Sequence, residues 1–185
     1  MSRVILVHGF NVADGGKKSI DRLIPCLLER QRDIVQYDYG YRFLLGVRLR
    51  SRNDAMGLLK IYRPGDIVIG HSNGAHLIAL AIEMGMPVKH AIMIHPALNK
   101  DWRPPYDHPI EEIHVYYSGK DVATWMAKFL PFHKWGAMGT VGPASADQRL
   151  IGHQEEQSHS GGFIEHPWRY LESLHDRRSQ IGNNN

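Results

Sequence analysis

Ile67-Val68-Ile69-Gly70-His71-Ser72-Asn73-Gly74-Ala75 decides the reading of this chain. A β-branched run enters the pentapeptide Gly70-His71-Ser72-Asn73-Gly74 directly, and a helical pattern, His76 to Met84, follows at once. Strand, sharp turn and helix together make a nucleophile elbow out of a pattern that alone is common. A turn this tight needs small flanking residues, which Gly70 and Gly74 supply. Ser72 is then exposed above the carboxyl end of a buried strand, and Asn73 presents its backbone N–H at a helix N-terminus. The competing reading is a glycine-rich turn that carries a serine and no chemistry.

Upstream, Arg3-Val4-Ile5-Leu6-Val7 is a continuous apolar run, as expected of a strand buried on both faces of a parallel sheet. It leads into His8-Gly9-Phe10. Apolar residues at Ile20, Leu23, Ile24, Leu27 and Leu28 predict a helix over Lys18–Arg32, and Asp33–Tyr37 predicts a second strand. Strand–helix–strand is the unit that generates parallel sheets. The segment Tyr39–Arg52 fits neither period. It reads either as an apolar flap over a pocket or as an irregular start to the helix predicted for Asn53–Tyr62.

Downstream, strands are predicted at His90–Ile94, Ile113–Tyr117 and Arg149–Gly152, and helices at Val122–Leu130 and Gly162–Arg178, with a loop over Phe132–Pro143. There are no repeats and no linkers. Residues 1–178 read as one domain, and 179–185 as a polar, disordered tail.

Composition narrows the function classes. A 43% hydrophobic and 22% charged chain is ordinary for a soluble globular protein. A net charge of +3 is too mild to argue for nucleic acid. No apolar run has the length of a membrane span or a signal peptide. The single cysteine, Cys26, cannot close an internal disulfide and sits in an apolar pattern, so a reducing, cytoplasmic setting is expected. No HExxH or CxxC spacing occurs, and His153, His159 and His166 are irregularly spaced, so no metal site is expected.

A serine hydroxyl needs a base within hydrogen-bond reach and an acid that orients the base. Behind an elbow the partners follow in the order serine, acid, histidine. Asp121 follows the strand Ile113–Tyr117, and His159 follows the last strand, both on the sheet edge that carries Ser72. Asp101 is the rival acid, and Asp147, Glu155 and Glu156 are weaker ones. His153 comes early, His166 and His175 fall in the terminal helix, and His71 and His76 flank the nucleophile too closely. The oxyanion formed on attack needs preorganised N–H donors. Asn73 supplies one and Phe10 the other. Phe10, the Tyr39–Val47 segment, Trp125, Met126, Trp135 and Met138 are candidates for an apolar pocket wall, and each is equally a candidate for the core.

Val7-His8-Gly9-Phe10, Gly70-His71-Ser72-Asn73-Gly74-Ala75, Ser118-Gly119-Lys120-Asp121 and His159-Ser160-Gly161-Gly162-Phe163 together resemble the α/β-hydrolase family. The resemblance implies a three-layer α/β/α sandwich with a mostly parallel sheet of about six strands, a minimal form lacking the usual first two strands and a cap domain. It implies a Ser72–His159–Asp121 triad, an acyl-enzyme, no cofactor and a small-molecule ester, with a thioester, an amide or acyl transfer as alternatives on the same scaffold. A binding protein that keeps the fold without turnover is the remaining possibility.

Overall fold

All six strands run parallel, in the spatial order β2-β1-β3-β4-β5-β6. They are β1 Val4–Val7, β2 Ile34–Tyr37, β3 Ile67–His71, β4 His90–Ile94, β5 Glu112–Tyr117 and β6 Leu150–Gln154. The computed structural model describes residues 3–10, 19–40, 44–121, 135–157 and 167–172. The chain steps from β1 to β2 on one side, then crosses to β3 on the other. The strand order therefore reverses between β1 and β3, and in open α/β sheets ligands bind at the carboxyl ends beside such a switch point.

Alternation along the strands builds two cores. Ile5 and Val7, Val68, Ala91 and Met93, and Ile113 and Val115 face one side and pack with Leu58, Leu77, Ile78 and Ile82. Val4 and Leu6, Ile67 and Ile69, Ile92 and Ile94, and Tyr116 face the other and pack with Ile20, Leu23, Leu27, Tyr170 and Leu171. With helices on both faces the sheet is the middle of three layers. The strands therefore read as unbroken apolar runs rather than alternating ones. Among the described residues, no helix is long and apolar enough to cross a membrane.

Helix α1, Ile24–Glu29, is preceded by a 3₁₀ turn over Ile20–Leu23 where one continuous helix was expected. Pro25 is the reason. It has no N–H to give, so it sits in the first turn of the α-helix, and the residues before it close more tightly. Helix α2 runs Leu44–Ile61, so of the two readings of the arginine-rich stretch the structure has the start of the helix from Leu44 onward, nine residues before the expected Asn53. Its buried side is Val47, Ser51, Ala55 and Leu58, at helical spacing, continued by Tyr62 just past its end. Ser51 and Ala55 are small and weakly apolar, which hides the period in the sequence. Gly57 lets α2 approach β2, since a Cβ there would lie 2.2 Å from the Tyr37 hydroxyl.

Helix α3, Asn73–Glu83, is buried almost all round, as an inner helix must be. β6 reaches Gln154, two residues past the expected end, which places His153 inside a strand. A short helix, Met138–Val141, occupies part of the expected loop. Of the terminal helix the described part is Arg169–Glu172. The expected helix Val122–Leu130 and the tail 179–185 lie outside the described residues.

Candidate active site

β3 ends at His71 and α3 begins at Asn73, so Ser72 makes the turn alone. It does so at φ 52° and ψ −116°, a left-handed backbone that is strained for any residue with a Cβ. Hydrogen bonds hold it there. Ser72 N–H donates to Ile94 O at 2.9 Å, and Ser72 O accepts from Ala97 N–H at 3.2 Å and from His76 N–H at 3.4 Å. A Cβ on Gly70 would stand 2.7 Å from Ala75 N, and one on Gly74 would stand 2.2 Å from Val7 O and 2.5 Å from His8 O. The helix thus starts in contact with the backbone at the end of β1.

Gly74→Ala tests that contact. In a helix interior the change ordinarily gains up to about 1 kcal/mol. Here the overlap is with backbone, which cannot rotate away, so the expected outcome is a loss of about 3 kcal/mol or more. Urea denaturation of the variant reads it, and a gain in stability would contradict the close approach.

The loop after β1 comes up against the elbow. A Cβ on Gly9 would lie 3.1 Å from His71 Nδ1 and 3.4 Å from Ser72 Cβ. Tyr39 ties this loop to α3. Its hydroxyl donates to Gly9 O at 2.6 Å and accepts from Asn73 Nδ2 at 3.1 Å, while its ring stacks on His8 at 4.3 Å. Asn73 Oδ1 in turn accepts from the Trp135 indole N–H at 3.1 Å, and the Trp135 ring meets Phe10 edge-on at 5.5 Å. Phe10 and Asn73 are therefore linked through Tyr39 on one side and Trp135 on the other. Asn73 N–H belongs to the first turn of α3, where the helix offers no acceptor.

Tyr39→Phe removes one hydroxyl and leaves the ring. Three buried polar groups, Gly9 O, His8 O and Asn73 Nδ2, lose that partner, at a cost of about 1–3 kcal/mol. If the loop after β1 supplies an N–H donor, as the sequence leads one to expect, its displacement by a fraction of an ångström lowers kcat about tenfold or more, with KM little changed. An unchanged kcat would show that the loop keeps its place without Tyr39.

Asp121 is fully buried, and its Oδ2 lies 3.1 Å from His95 Nδ1. The other ring nitrogen, His95 Nε2, lies 3.0 Å from Glu155 Oε2. Glu155 also accepts from the Tyr170 hydroxyl at 3.3 Å, and Arg169 stands 3.6 Å from its other oxygen. Burial pulls the His95 imidazole down, but its bonds to Asp121 and Glu155 outweigh that and leave it raised above its ordinary value. Burial beside Glu155 pushes the Tyr170 phenol well up, so it stays a donor. His95 is not among the candidates the sequence offers, and Glu155 is there only a weaker rival acid. The signal was present, because both follow strand ends on the same edge as Ser72 and Asp121. Asp101, the rival acid, is exposed on a turn where its N–H donates to Asn99 Oδ1 at 3.2 Å.

His159, the expected base, lies outside the described residues, as do His166, His175, Trp125 and Met126. His153 faces elsewhere, paired with His114 at 2.8 Å and stacked on Tyr116 at 4.5 Å. Burial and the neighbouring His114 lower its proton affinity. Among the described residues no three His, Cys, Asp or Glu side chains are grouped to hold a metal ion.

A cavity of about 820 Å³ lies along the outer face of α3, lined by Leu80, Leu98, Trp102, Trp135 and Val141, with His76 near the elbow. Trp135 is the wall it shares with the Phe10–Asn73 side. Met138, a candidate for either the pocket wall or the core, is fully buried in the core.

No protein-family model matches the sequence, and no curated protein matches it significantly. Solved structures do match in shape. One is a protein from Xanthomonas campestris pv. campestris assigned to the alpha/beta hydrolase superfamily, at 17% identity and TM-score 0.64, covering 95% of this chain and 99% of that one. The fold is the alpha/beta hydrolase fold. A pyrethroid hydrolase shares it at 13% identity and TM-score 0.57, covering 96% of this chain and 97% of that one. An esterase of Pyrococcus furiosus does so at 11% identity and TM-score 0.61, covering 97% of this chain and 81% of that one. In this alpha/beta hydrolase fold the sheet is wholly parallel where a mostly parallel one was expected, and its six strands agree with the expected count.

Proposed function

We propose that the protein is a serine hydrolase that cleaves a small carboxylic ester through an acyl-enzyme. The observation that carries this reading is Ser72 at φ 52° between β3 and α3, flanked by two glycines that admit no Cβ. Maintaining a strained serine costs stability, and such strain is concentrated where the chain performs chemistry. The neighbours named above are hydrolases and an esterase.

In this reading Ser72 Oγ attacks the ester carbonyl carbon as His159 takes its proton. The carbonyl oxygen becomes an anion facing the N–H groups of Phe10 and Asn73. The tetrahedral centre collapses, the C–O bond to the alcohol breaks, and His159 returns the proton to the departing oxygen. Water repeats the attack and frees the acid. Asp121 orients His159 and offsets the imidazolium that forms on it. A carboxylate has two oxygens, so Oδ2 can serve His95 while Oδ1 serves the base. No cofactor is needed. The cavity beside Trp135, with Leu80, Leu98, Trp102 and Val141 on its apolar walls and Glu83, Asn99 and Lys100 among its polar ones, offers room for a group of the ester, and a cytoplasmic setting fits Cys26, which has no second cysteine to pair with.

The test is covalent labelling by a fluorophosphonate, followed by peptide mapping. Label on Ser72 is expected. A folded protein that stays unlabelled at Ser72 would overturn the reading in favour of a binding protein. Ester, thioester and amide turnover on one acyl group then separates the leaving-group classes.

A further inference from the structure

His95 is held in a way that orientation of the nucleophile does not require. It is the first residue after β4, it is 1% exposed, and it sits at φ 46°, another strained position at the carboxyl edge of the sheet. Its own N–H donates to Tyr116 O at 2.8 Å, so the left-handed turn is fixed and the ring stays inside the protein. Both ring nitrogens face carboxyl oxygens, Asp121 Oδ2 at 3.1 Å and Glu155 Oε2 at 3.0 Å. Both carboxyl side chains are fully buried. A neutral imidazole has one N–H and would turn its bare nitrogen toward a carboxylate lone pair; an imidazolium satisfies both. Two carboxylates without a cation between them would be a buried like-charge pair.

The acid that the proposed function assigns to the base is therefore not alone. We propose that His95 is a positioning residue for Asp121: clamped by Glu155 from behind, it fixes the Asp121 carboxylate and offsets its charge, so that the catalytic base works against an Asp–His–Glu unit rather than a single acid. This rests on Asp121 being the acid of the proposed triad. Among the described residues the charged and titratable groups around the unit include His71, whose ring centre is 6.5 Å from that of His95, Tyr170 and Arg169 on Glu155, and Tyr116 and His153 on the neighbouring strands.

The charge count gives opposite signs for two variants. The unit carries −1 with His95 protonated. His95→Gln makes it −2, so the base holds its proton more strongly and the acid limb of kcat/KM moves up by about one pH unit. Glu155→Gln makes it zero, so the limb moves down by a similar step of about one unit. In both, kcat falls about ten- to a hundredfold as Asp121 loses its anchor, while KM stays within about twofold. A packing role alone would lower activity in both without opposite shifts. Shifts in the same direction, or none in either, overturn the proposal.

The ring can also be read without turnover. In the wild-type protein, imidazole ¹⁵N resonances near neutral pH should show His95 with both nitrogens protonated, and a neutral ring overturns the proposal even if His95→Gln fails to fold. Asp121→Asn separates the two readings. Full activity in that variant removes the assigned acid and with it the proposed triad. A dead Asp121→Asn beside silent His95 and Glu155 variants removes this inference alone.

Discussion

Ser72→Ala is expected to lower kcat for p-nitrophenyl esters by about a million-fold while leaving the melting temperature almost unchanged. The two halves of this expectation have separate causes. On the proposed mechanism activity falls because the Oγ is the attacking atom and no other group can take its place; what would remain is the polarisation offered by the proposed N–H donors, about a thousandfold over water. Stability is kept because the strain at φ 52° is a strain on Cβ, and alanine has the same Cβ as serine. The backbone bonds from Ile94, Ala97 and His76 do not involve the side chain. A variant that keeps more than a tenth of the wild-type rate would remove Ser72 from the chemistry. A variant that loses both rate and fold would mean that the hydroxyl had a structural partner, and circular dichroism on the same sample distinguishes the cases.

The elbow was legible because several local signals agree there: an apolar strand, small residues where no Cβ fits, and a helix that is apolar all round. Gly70 and Gly74 carry most of that information, since their contacts with Ala75 and with the carbonyls of Val7 and His8 exclude any side chain. Agreement of this kind is what makes a segment readable. Helix α2 was harder because its buried row uses Ser51 and Ala55 against the sheet side and its exposed row includes Leu49, so size rather than polarity sorts the faces. Polarity patterns cannot register that. The partnership of His95 with Asp121 and Glu155 was hidden for a different reason. The positions 95, 121 and 155 are brought together only by the order of β4, β5 and β6, and a strand end says which edge a residue occupies but not which way its side chain turns. Edge placement was enough to bring Phe10, Ser72 and Asp121 to one end of the sheet. It could not tell that Tyr39, from the segment that read either as a flap or as an irregular helix start, is the bond between the loop after β1 and α3.

Asp121→Asn is expected to cost about ten-thousandfold in kcat, and Asp101→Asn almost nothing. The volume is unchanged in both, so the difference measures charge and hydrogen-bond polarity alone. At position 121 the side chain has no solvent to turn toward, and its Oδ2 accepts from His95. In the proposed triad an amide there has one acceptor oxygen for two imidazoles, His95 and the base. If the oxygen keeps His95, the NH₂ faces the base, which must then turn its bare nitrogen inward and its N–H toward Ser72, the wrong tautomer for taking a proton. If the oxygen serves the base, the NH₂ meets a protonated His95, donor against donor in a buried site, and the ring must lose its proton or move. Either arrangement disables the base, and neither is open to solvent relief. At position 101 the carboxylate stands in water on the Asn99 turn, and the bond that shapes the turn is made by the backbone N–H, which asparagine keeps. Equal losses in the two variants, or a loss confined to Asp101→Asn, would move the acid to the loop after β4 and leave Asp121 as a purely structural partner of His95.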